Sequence, residues 1–193
     1  KLGVHWFRQD LRLNNNPSLE VLSDKVDLII PIYIIDPKQR IGSVSKWWLE
    51  QSLKSLNEAI EKQNGKLNIF EGNPLDIISS LVLNETIQFF SWNRLYDLYS
   101  INRDKKVKSF LKSNDVDCET FNGYLLNEPW NIKNKSGTFF KVFTPYWRHC
   151  TENIKNINLK KQAQIVKFSN SKLKNSKKIQ DLNLTNKKMR WTN

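Results

Sequence analysis

Five short apolar runs, separated by segments with helical spacing, constrain this 193-residue chain more than any other feature. The runs show little of the polar–apolar alternation of a half-exposed strand, which is typical of strands buried on both faces of a parallel sheet. They cover residues 3–7, 27–35, 66–70, 86–92 and 116–121. Pro31 interrupts the second run and cannot donate to a ladder, so we expect a bulge or an unpaired position there.

Helical patterns lie between these runs. In residues 45–64, apolar side chains recur every three or four positions and share one helix face. Asn64-Gly65 predicts the end of that helix, because glycine accepts the left-handed cap conformation. Asn16-Pro17 and Asn73-Pro74 each predict a helix start, with Asn as the cap and Pro in the first turn. A fourth helix is predicted over 101–112.

This alternation predicts an α/β fold over residues 1–150. Repeated strand–helix units connect by right-handed crossovers, so we expect a doubly wound, five-stranded parallel sheet with helices on both faces, Rossmann-like in architecture. No glycine-rich loop follows the first strand, which argues against a dinucleotide site of the Rossmann type.

The positive charge is concentrated in the last 43 residues. The chain carries a net charge of +12, of which residues 151–193 contribute +9. Such a basic tail could contact phosphates, or it could be a solvated linker, and charge alone does not separate the two. The scarcity of apolar residues there predicts an irregular basic linker.

The remaining composition indicates a cytoplasmic protein. No apolar run approaches the ~18–20 residues of a membrane helix, and the first residues lack the pattern of a signal peptide. Because the chain does not begin with Met, we expect that a few residues have been trimmed. Cys118 and Cys150 have no metal-type spacing, and we expect them to be reduced.

Polar and aromatic residues follow three of the predicted strands, where ligands bind in open α/β sheets. We expect the turns after Ile35 and Trp92 to lie side by side and to form a slot. Guanidinium, carboxylate, amide and aromatic groups together suit a planar ligand with polar edges. Arg8, Asp10 and Arg12 could instead pair with one another and hold a turn. We find no nucleophile–base pair and no metal-ligand cluster, and His5 and His149 are expected to be structural.

Ordered motifs along the first 148 residues are similar to those of the DNA photolyase and cryptochrome family. The opening VHWFRQDLRL with NPSL behind it, the strand end YIIDP, and WNRLYD followed by Arg103-Asp104 resemble that family. The segments NGYLL and KVFTPYW resemble the close of its α/β domain. The joint match identifies the chain as the N-terminal α/β antenna domain of a class I-type deoxyribodipyrimidine photolyase.

The resemblance implies a light-driven repair enzyme. In this family a second, helical domain binds FAD, which donates an electron to a cyclobutane pyrimidine dimer flipped out of UV-damaged DNA. We expect residues 151–193 to lead toward that missing domain. This chain then contains no catalytic residues, should not repair DNA alone, and should be a monomer. The alternatives are a cryptochrome-type blue-light photoreceptor and a stand-alone nucleotide-binding α/β module.

The resemblance also implies a second, light-harvesting chromophore in the α/β domain. Folate-binding members tend to have Asn-Glu where this chain has Tyr99-Ser100, so a deazaflavin or another flavin is favoured over a folate. Asn15 replaces an acid that is usual in the family. Arg8, Asp10 and Arg12 are the candidate interface toward the flavin domain. The candidate chromophore-binding residues are Asp36, Lys46, Trp48, Asn93, Asp97, Tyr99 and Arg103.

Overall fold

The computed structural model describes residues 1–154 and 166–185. The strands are β1 (Leu2–Phe7), β2 (Leu28–Ile35), β3 (Asn68–Glu71), β4 (Phe89–Asn93) and β5 (Asp117–Phe121). The α-helices are α1 (Pro17–Lys25), α2 (Ser43–Glu61), α3 (Pro74–Asn84), α4 (Leu98–Ser113) and α5 (Phe143–Ile154). None of the helices in the described ranges is long and apolar enough to cross a bilayer.

The five strands form one parallel sheet in the order β3-β2-β1-β4-β5. The predicted doubly wound, five-stranded parallel sheet is therefore confirmed. The strand order reverses between β1 and β4, so β1 lies at the centre of the sheet. Loops that leave the carboxyl ends of the strands near this point are where open α/β sheets bind ligands.

Each face of the sheet is covered by its own pair of helices. Leu19 of α1 and Leu53 of α2 are fully buried in a cluster on one face. Ile78 of α3 and Val107 of α4 are fully buried in a second cluster on the other face. Burial on both sides explains why the strands read as continuous apolar runs.

The predicted helix starts are confirmed at α1 and α3. The Asn16 side chain accepts a hydrogen bond from Leu19 N at 3.4 Å, and the Asn73 side chain accepts one from Leu75 N at 3.1 Å. A proline follows each cap in the first turn, where its missing N–H has no intrahelical partner to lose. These caps fix where the chain turns back from a strand into a helix.

Pro31 lies inside a continuous strand. It is opposite His5 in the β1–β2 register, and that register shows no bulge. The backbone groups of Ile29 and Ile35 form hydrogen bonds on the side of β2 that faces away from β1. Because every second residue of a strand presents its backbone groups to the same side, the Pro31 nitrogen also faces away from β1. Pairing with β3 begins only at Ile32. The missing N–H thus falls in a gap on the β3 side, which is the unpaired position expected of a proline.

The end of α2 differs from the prediction. The helix ends at Glu61, and Asn64 rather than Gly65 has the left-handed conformation, with φ of 57°. Gly65 is required for a different reason, because its neighbours leave no room for a side chain. A Cβ there would overlap the Cβ of Phe168 and lie 2.8 Å from Ile60 Cγ2.

Phe168 belongs to residues 166–185, which we call the C-terminal strap. The strap runs along the β3 side of the sheet. Ile29 N–H donates to Lys167 O at 2.9 Å, and Ser169 N–H donates back to Ile29 O at 2.8 Å. Farther along, Lys177 N–H donates to Ile69 O at 2.7 Å, so the strap occupies the open edge of β3.

Residues 166–185 are therefore packed against the sheet rather than solvated, and their secondary structure is irregular as predicted. The few apolar side chains of the strap enter the core beside strands that have open backbone groups, which is a favourable way to cover a sheet edge. Residues 151–154 of the predicted linker belong to α5, and the rest, 155–165 and 186–193, lies outside the described residues. The buried apolar residues of the strap are Val166, Phe168, Leu173 and Leu182.

The segment between β5 and α5 contains one short 3-10 helix, Pro129–Asn131, and an ion pair ties it to the end of β4. Arg94, just after β4, donates to the nearly buried carboxylate of Glu128 at 2.8 and 3.0 Å. Beyond this contact the chain carries α5, whose residues 143–148 are all exposed. Among the residues of α5 whose burial is described, only Cys150 is buried.

Candidate functional site

Asp36 is the junction between the end of β2 and the first turn of α4. Tyr99 Oη donates to Asp36 Oδ2 at 2.6 Å, and Arg103 Nη1 lies 3.4 Å from the same oxygen. The other oxygen accepts from Lys38 N at 3.0 Å and closes the turn after β2. Desolvation and the hydrogen bond to Asp36 raise the pKa of Tyr99 to about 12, so its phenol stays a donor at neutral pH.

The two turns meet across β1, not beside each other. The prediction placed the turns after Ile35 and Trp92 at neighbouring strand ends, but β1 lies between β2 and β4. The contact is made because Arg103 passes over the ring of Trp6 in β1, with its guanidinium carbon 4.9 Å from the ring centroid. A side chain on α4 thereby closes a distance that the sheet itself leaves open.

A buried ion network lies under this junction. Arg8 Nη1 donates to both oxygens of Asp104, at 2.9 and 2.8 Å, and Arg103 donates to Asp104 Oδ1 from Nε and Nη2, at 3.1 and 3.0 Å. Trp92 Nε1 adds a bond of 3.1 Å to the other oxygen. Burial lowers the pKa of the Arg8 guanidinium, while the Asp104 carboxylate opposes that shift. The network is saturated, so its role is to fix Arg103 in place.

Asn93, the last residue of β4, holds the turn after β1 with its side chain and does not line the cleft described below. Its Nδ2 donates to Asp10 Oδ2 and, at 2.7 Å, to Asn16 Oδ1. Asp10 also accepts from Arg8 N at 3.1 Å, so these groups hold the turn. Gly123 packs so closely that a Cβ there would overlap the Asn93 amide.

The side chains of Asp97 and Arg12 also form hydrogen bonds with backbone groups of the protein. Asp97 is the N-cap of α4 and accepts from Ser100 N at 2.8 Å. Desolvation raises the pKa of its carboxyl, but the hydrogen bonds from Ser100 outweigh it, so the net pKa is lowered. Arg12 is exposed and donates to the Asn15 carbonyl at 3.1 Å and to the Gly123 carbonyl at 2.7 Å.

A cleft of about 390 Å³ opens beyond the carboxyl ends of β1 and β2. The turn after β1 and the end of β2 with Asp36 form its floor, and the first turns of α2 form its outer wall. Trp48 is 66% exposed and lines the cleft, so its indole face is available to a flat ligand. Lys46 is exposed two residues earlier and is not among the lining residues.

Sequence reasoning missed several residues of the cleft. Ser45, Trp48, Leu49 and Ser52 share one face of α2 at helical spacing, and only Trp48 was singled out. Their spacing of three, four and seven positions was the available signal. Gln39 lies in the polar turn after β2, where ligands are expected, but Tyr33 and Ile41 had no such signal.

His5 is completely buried and lies against Ser91, with 3.0 Å between Nδ1 and Oγ. Burial, with a smaller contribution from the charge of Arg8, lowers its pKa from 6.5 to about 3. It is therefore neutral at physiological pH. His149 packs on the ring of Phe140, 5.4 Å between centroids. Across residues 1–154 and 166–185, no group of His, Cys, Asp and Glu could hold a metal ion.

Comparisons with known proteins agree with the fold and with the motifs. The sequence model of the DNA photolyase family matches residues 3–165. A deoxyribodipyrimidine photo-lyase of Agrobacterium fabrum is 35% identical over 146 residues, which is 75% of this chain and 30% of that protein. Cryptochrome-2 of Arabidopsis thaliana is 31% identical over 157 residues, or 79% of this chain and 26% of the relative.

A bacterial class III photolyase from Agrobacterium tumefaciens has the same fold. Its crystal structure superposes with a TM-score of 0.85 at 28% identity and covers 96% of this chain but 39% of the other. The chain thus spans well under half the length of each of these three relatives. It belongs to the DNA photolyase family and corresponds to the N-terminal α/β domain of its members.

Proposed function

We propose that this chain is the chromophore-binding α/β domain of a light-driven deoxyribodipyrimidine photolyase. The observation that carries the proposal is the cleft beyond β1 and β2, which Trp48 and Asp36 both line; Tyr99 and Arg103 do not line it but hold Asp36 in place. A flat pigment would stack on the indole, and the polar groups at the end of β2 would orient its edge.

The donor and acceptor set of the cleft fits a neutral ring with polar edges. Gln39 and Ser45 supply an amide and a hydroxyl, and Asp36 supplies carboxylate oxygens. The guanidinium of Arg8, which lines the cleft, is held by Asp104, whereas Arg12 lines it as an exposed cation that donates to the carbonyls of Asn15 and Gly123. The preference for a deazaflavin or another flavin over a folate rests on Tyr99-Ser100, which stands where folate-binding members tend to have Asn-Glu.

The size of the cleft supports the same class. Ligand pockets generally measure about 300–1,000 Å³, and about 390 Å³ lies at the low end. One tricyclic ring system matches that space, whereas a complete dinucleotide would extend beyond it. The chromophore would supply absorption of light and transfer of excitation, and the residues of this chain would hold and orient it.

Titration of the domain with a deazaflavin, FMN and a methenyl folate, followed by fluorescence polarisation, tests this proposal. We expect the deazaflavin or FMN to bind, and Trp48→Ala to weaken binding at least tenfold. Trp147→Ala is the matched control, since Trp147 is 52% exposed on α5 and away from the cleft. Equal loss in both variants, or binding unaffected by Trp48→Ala, would contradict the proposal.

The repair chemistry would require a second domain that binds FAD. The relatives continue well beyond the region matched by this chain, and the family resemblance implies a helical flavin domain there. We propose that α5 contacts that domain. Phe143, Tyr146 and Trp147 form a stripe at spacings of three and four, which is the apolar face of an amphipathic helix, and all three are exposed.

Of the three residues first proposed for this interface, Arg12 is the one that remains available. Arg8 and Asp10 are buried in the turn after β1, whereas Arg12 is exposed. Exposed apolar stripes of this kind are typical of surfaces that another protein unit covers.

A chimera tests both the activity and the interface. The chain would replace the corresponding region of the Agrobacterium fabrum photo-lyase, and flavin retention and light-dependent repair of cyclobutane dimers would be measured. We expect repair, and loss of flavin retention in the double variant Phe143→Ser, Trp147→Ser. Full repair by that double variant would contradict the placement of the interface.

A cryptochrome-type photoreceptor is the second candidate, because Arabidopsis cryptochrome-2 is nearly as similar. A chimera that retains flavin but never repairs dimers favours it. We infer a cytoplasmic monomer in either case, which is consistent with two cysteines that form no disulfide.

A further inference from the structure

A second cleft, of about 340 Å³, lies between α2, the start of β3 and the C-terminal strap. We call it the basic cleft. Lys66 and Leu67 lie just before β3, so the basic cleft is near the amino end of that strand. The cleft described above lies beyond the carboxyl ends of the strands, and the two are therefore distinct. Five lysines line it: Lys54, Lys66, Lys172, Lys177 and Lys178.

The charges of these lysines are only partly compensated. Lys54 pairs with Glu50 at 2.6 Å and Lys177 pairs with Glu71 at 2.5 Å. Within the described ranges, Lys66, Lys172 and Lys178 form no salt bridge. The one acidic residue that lines the cleft is Glu61, whose carboxylate accepts from Asn57 at 2.8 Å. Three cations therefore converge on the cleft without an acidic partner.

The strap holds these lysines on an ordered backbone. Ser176 Oγ accepts from Ile69 N at 3.2 Å, and Lys177 N donates to Ile69 O at 2.7 Å. The two neighbouring lysines, Lys172 and Lys178, lie on either side of this anchored stretch. A cleft with fixed walls does not have to order its backbone when a ligand binds, which favours binding.

We propose that the basic cleft binds phosphate groups. Lysine is a strong point charge for phosphate, and the amide of Gln180 adds a neutral donor at the rim. The phosphate could come from the backbone of a polynucleotide or from a free nucleotide, since both present the same chemistry. In a photolyase, the first source would give the α/β domain a contact with DNA of its own.

Binding of an undamaged single-stranded oligonucleotide, the matching duplex and ADP would be measured in the dark with this chain at several salt concentrations. The test variant is Lys66→Gln, Lys172→Gln, Lys178→Gln, which leaves the two paired lysines in place. The control is Lys105→Gln, Lys106→Gln, Lys112→Gln, which removes the same charge from exposed positions of α4. Thermal unfolding of both variants shows whether the fold is kept.

We expect the test variant to lose affinity roughly tenfold or more, and the salt slope for the duplex to fall by about 0.9 for each lost contact. Loss with the oligonucleotides identifies a backbone site, and loss with ADP alone identifies a nucleotide site. Equal losses in both variants would show attraction by net charge only and would overturn the proposal. So would the absence of binding by all three ligands. None of these outcomes depends on a chromophore.

Discussion

The C-terminal strap and α5 show that the apolar content of a segment does not determine whether its side chains are buried. The strap is rich in lysine and sparse in apolar residues, yet Val166, Phe168, Leu173 and Leu182 are buried. In α5 the aromatic side chains Phe143 and Trp147 stack on each other, with centroids 6.1 Å apart, and remain exposed. The difference lies in what each segment meets: the strap meets open strands, while α5 meets no described element that covers its stripe.

The largest test of this contrast is truncation of one phenylalanine in each region. Phe168→Ala should lower the free energy of unfolding by about 3–5 kcal/mol, because it leaves a cavity against Gly65 and the α2 core. Phe143→Ala, on the exposed stripe, should change it by no more than about 0.5 kcal/mol. Urea unfolding of both variants measures the difference. Similar losses would show that α5 packs as firmly as the strap.

The contact between Gly65 and Phe168 gives the next largest effect. Gly65→Ala adds a methyl group where Phe168 and Ile60 leave no space, and it should cost about 1–3 kcal/mol. The same change in a Phe168→Ala background should cost much less, since the clash is removed. A double-mutant cycle measures this coupling. Additive losses would mean that the strap does not press on Gly65.

Acid should loosen the sheet and the strap together. His5 has a pKa of about 3 when folded and about 6.5 when unfolded, so the unfolded chain takes up a proton first. Stability is therefore full above pH 6.5 and falls as the pH drops, by at most about 1.4 kcal/mol per pH unit. Between pH 6.5 and 5 the free energy of unfolding should fall by about 1–2 kcal/mol. The fall should be smaller in His5→Asn, because asparagine cannot be protonated.

Hydrogen exchange over the same pH range then compares the two regions. The amides of Ile29, Ser169 and Lys177 bond across the sheet and strap and should lose protection in parallel. Protection in α5 should be low and independent of His5. If the strap amides exchange freely at pH 7, the strap is not an integral part of the fold.

Removal of one hydroxyl in each region is the smallest test. Ser176→Ala leaves Ile69 N without its side-chain acceptor and should cost about 1–2 kcal/mol. Thr151→Ala in α5 removes a hydroxyl that donates to helix carbonyls at an exposed position, and its effect should be close to zero. Thermal melts resolve a difference of this size. Equal effects of the two changes would show that single hydrogen bonds stabilise the strap no more than they stabilise α5.

Only part of the cleft beyond β1 and β2 was accessible to prediction. Asp36, Tyr99 and Arg103 were proposed together and are brought together, and Trp48 lines the cleft. Asn93, Asp97 and Lys46 were proposed with them, but the first two are committed to a turn and a helix cap. A loop residue looks the same in a sequence whether its side chain binds a ligand or satisfies its own backbone, so the sequence could not separate them.

The sequence by itself determined the order of strands and helices, the capped starts of α1 and α3, and the burial of the sheet on both faces. These features depend on local periodicity and on side chains that bond within a few residues of themselves. Only the tertiary structure decided that β1 lies between β2 and β4, that Arg103 bridges them, and that the strap covers β3. Those outcomes depend on contacts between residues far apart in the chain, where neither spacing nor composition specifies the partner.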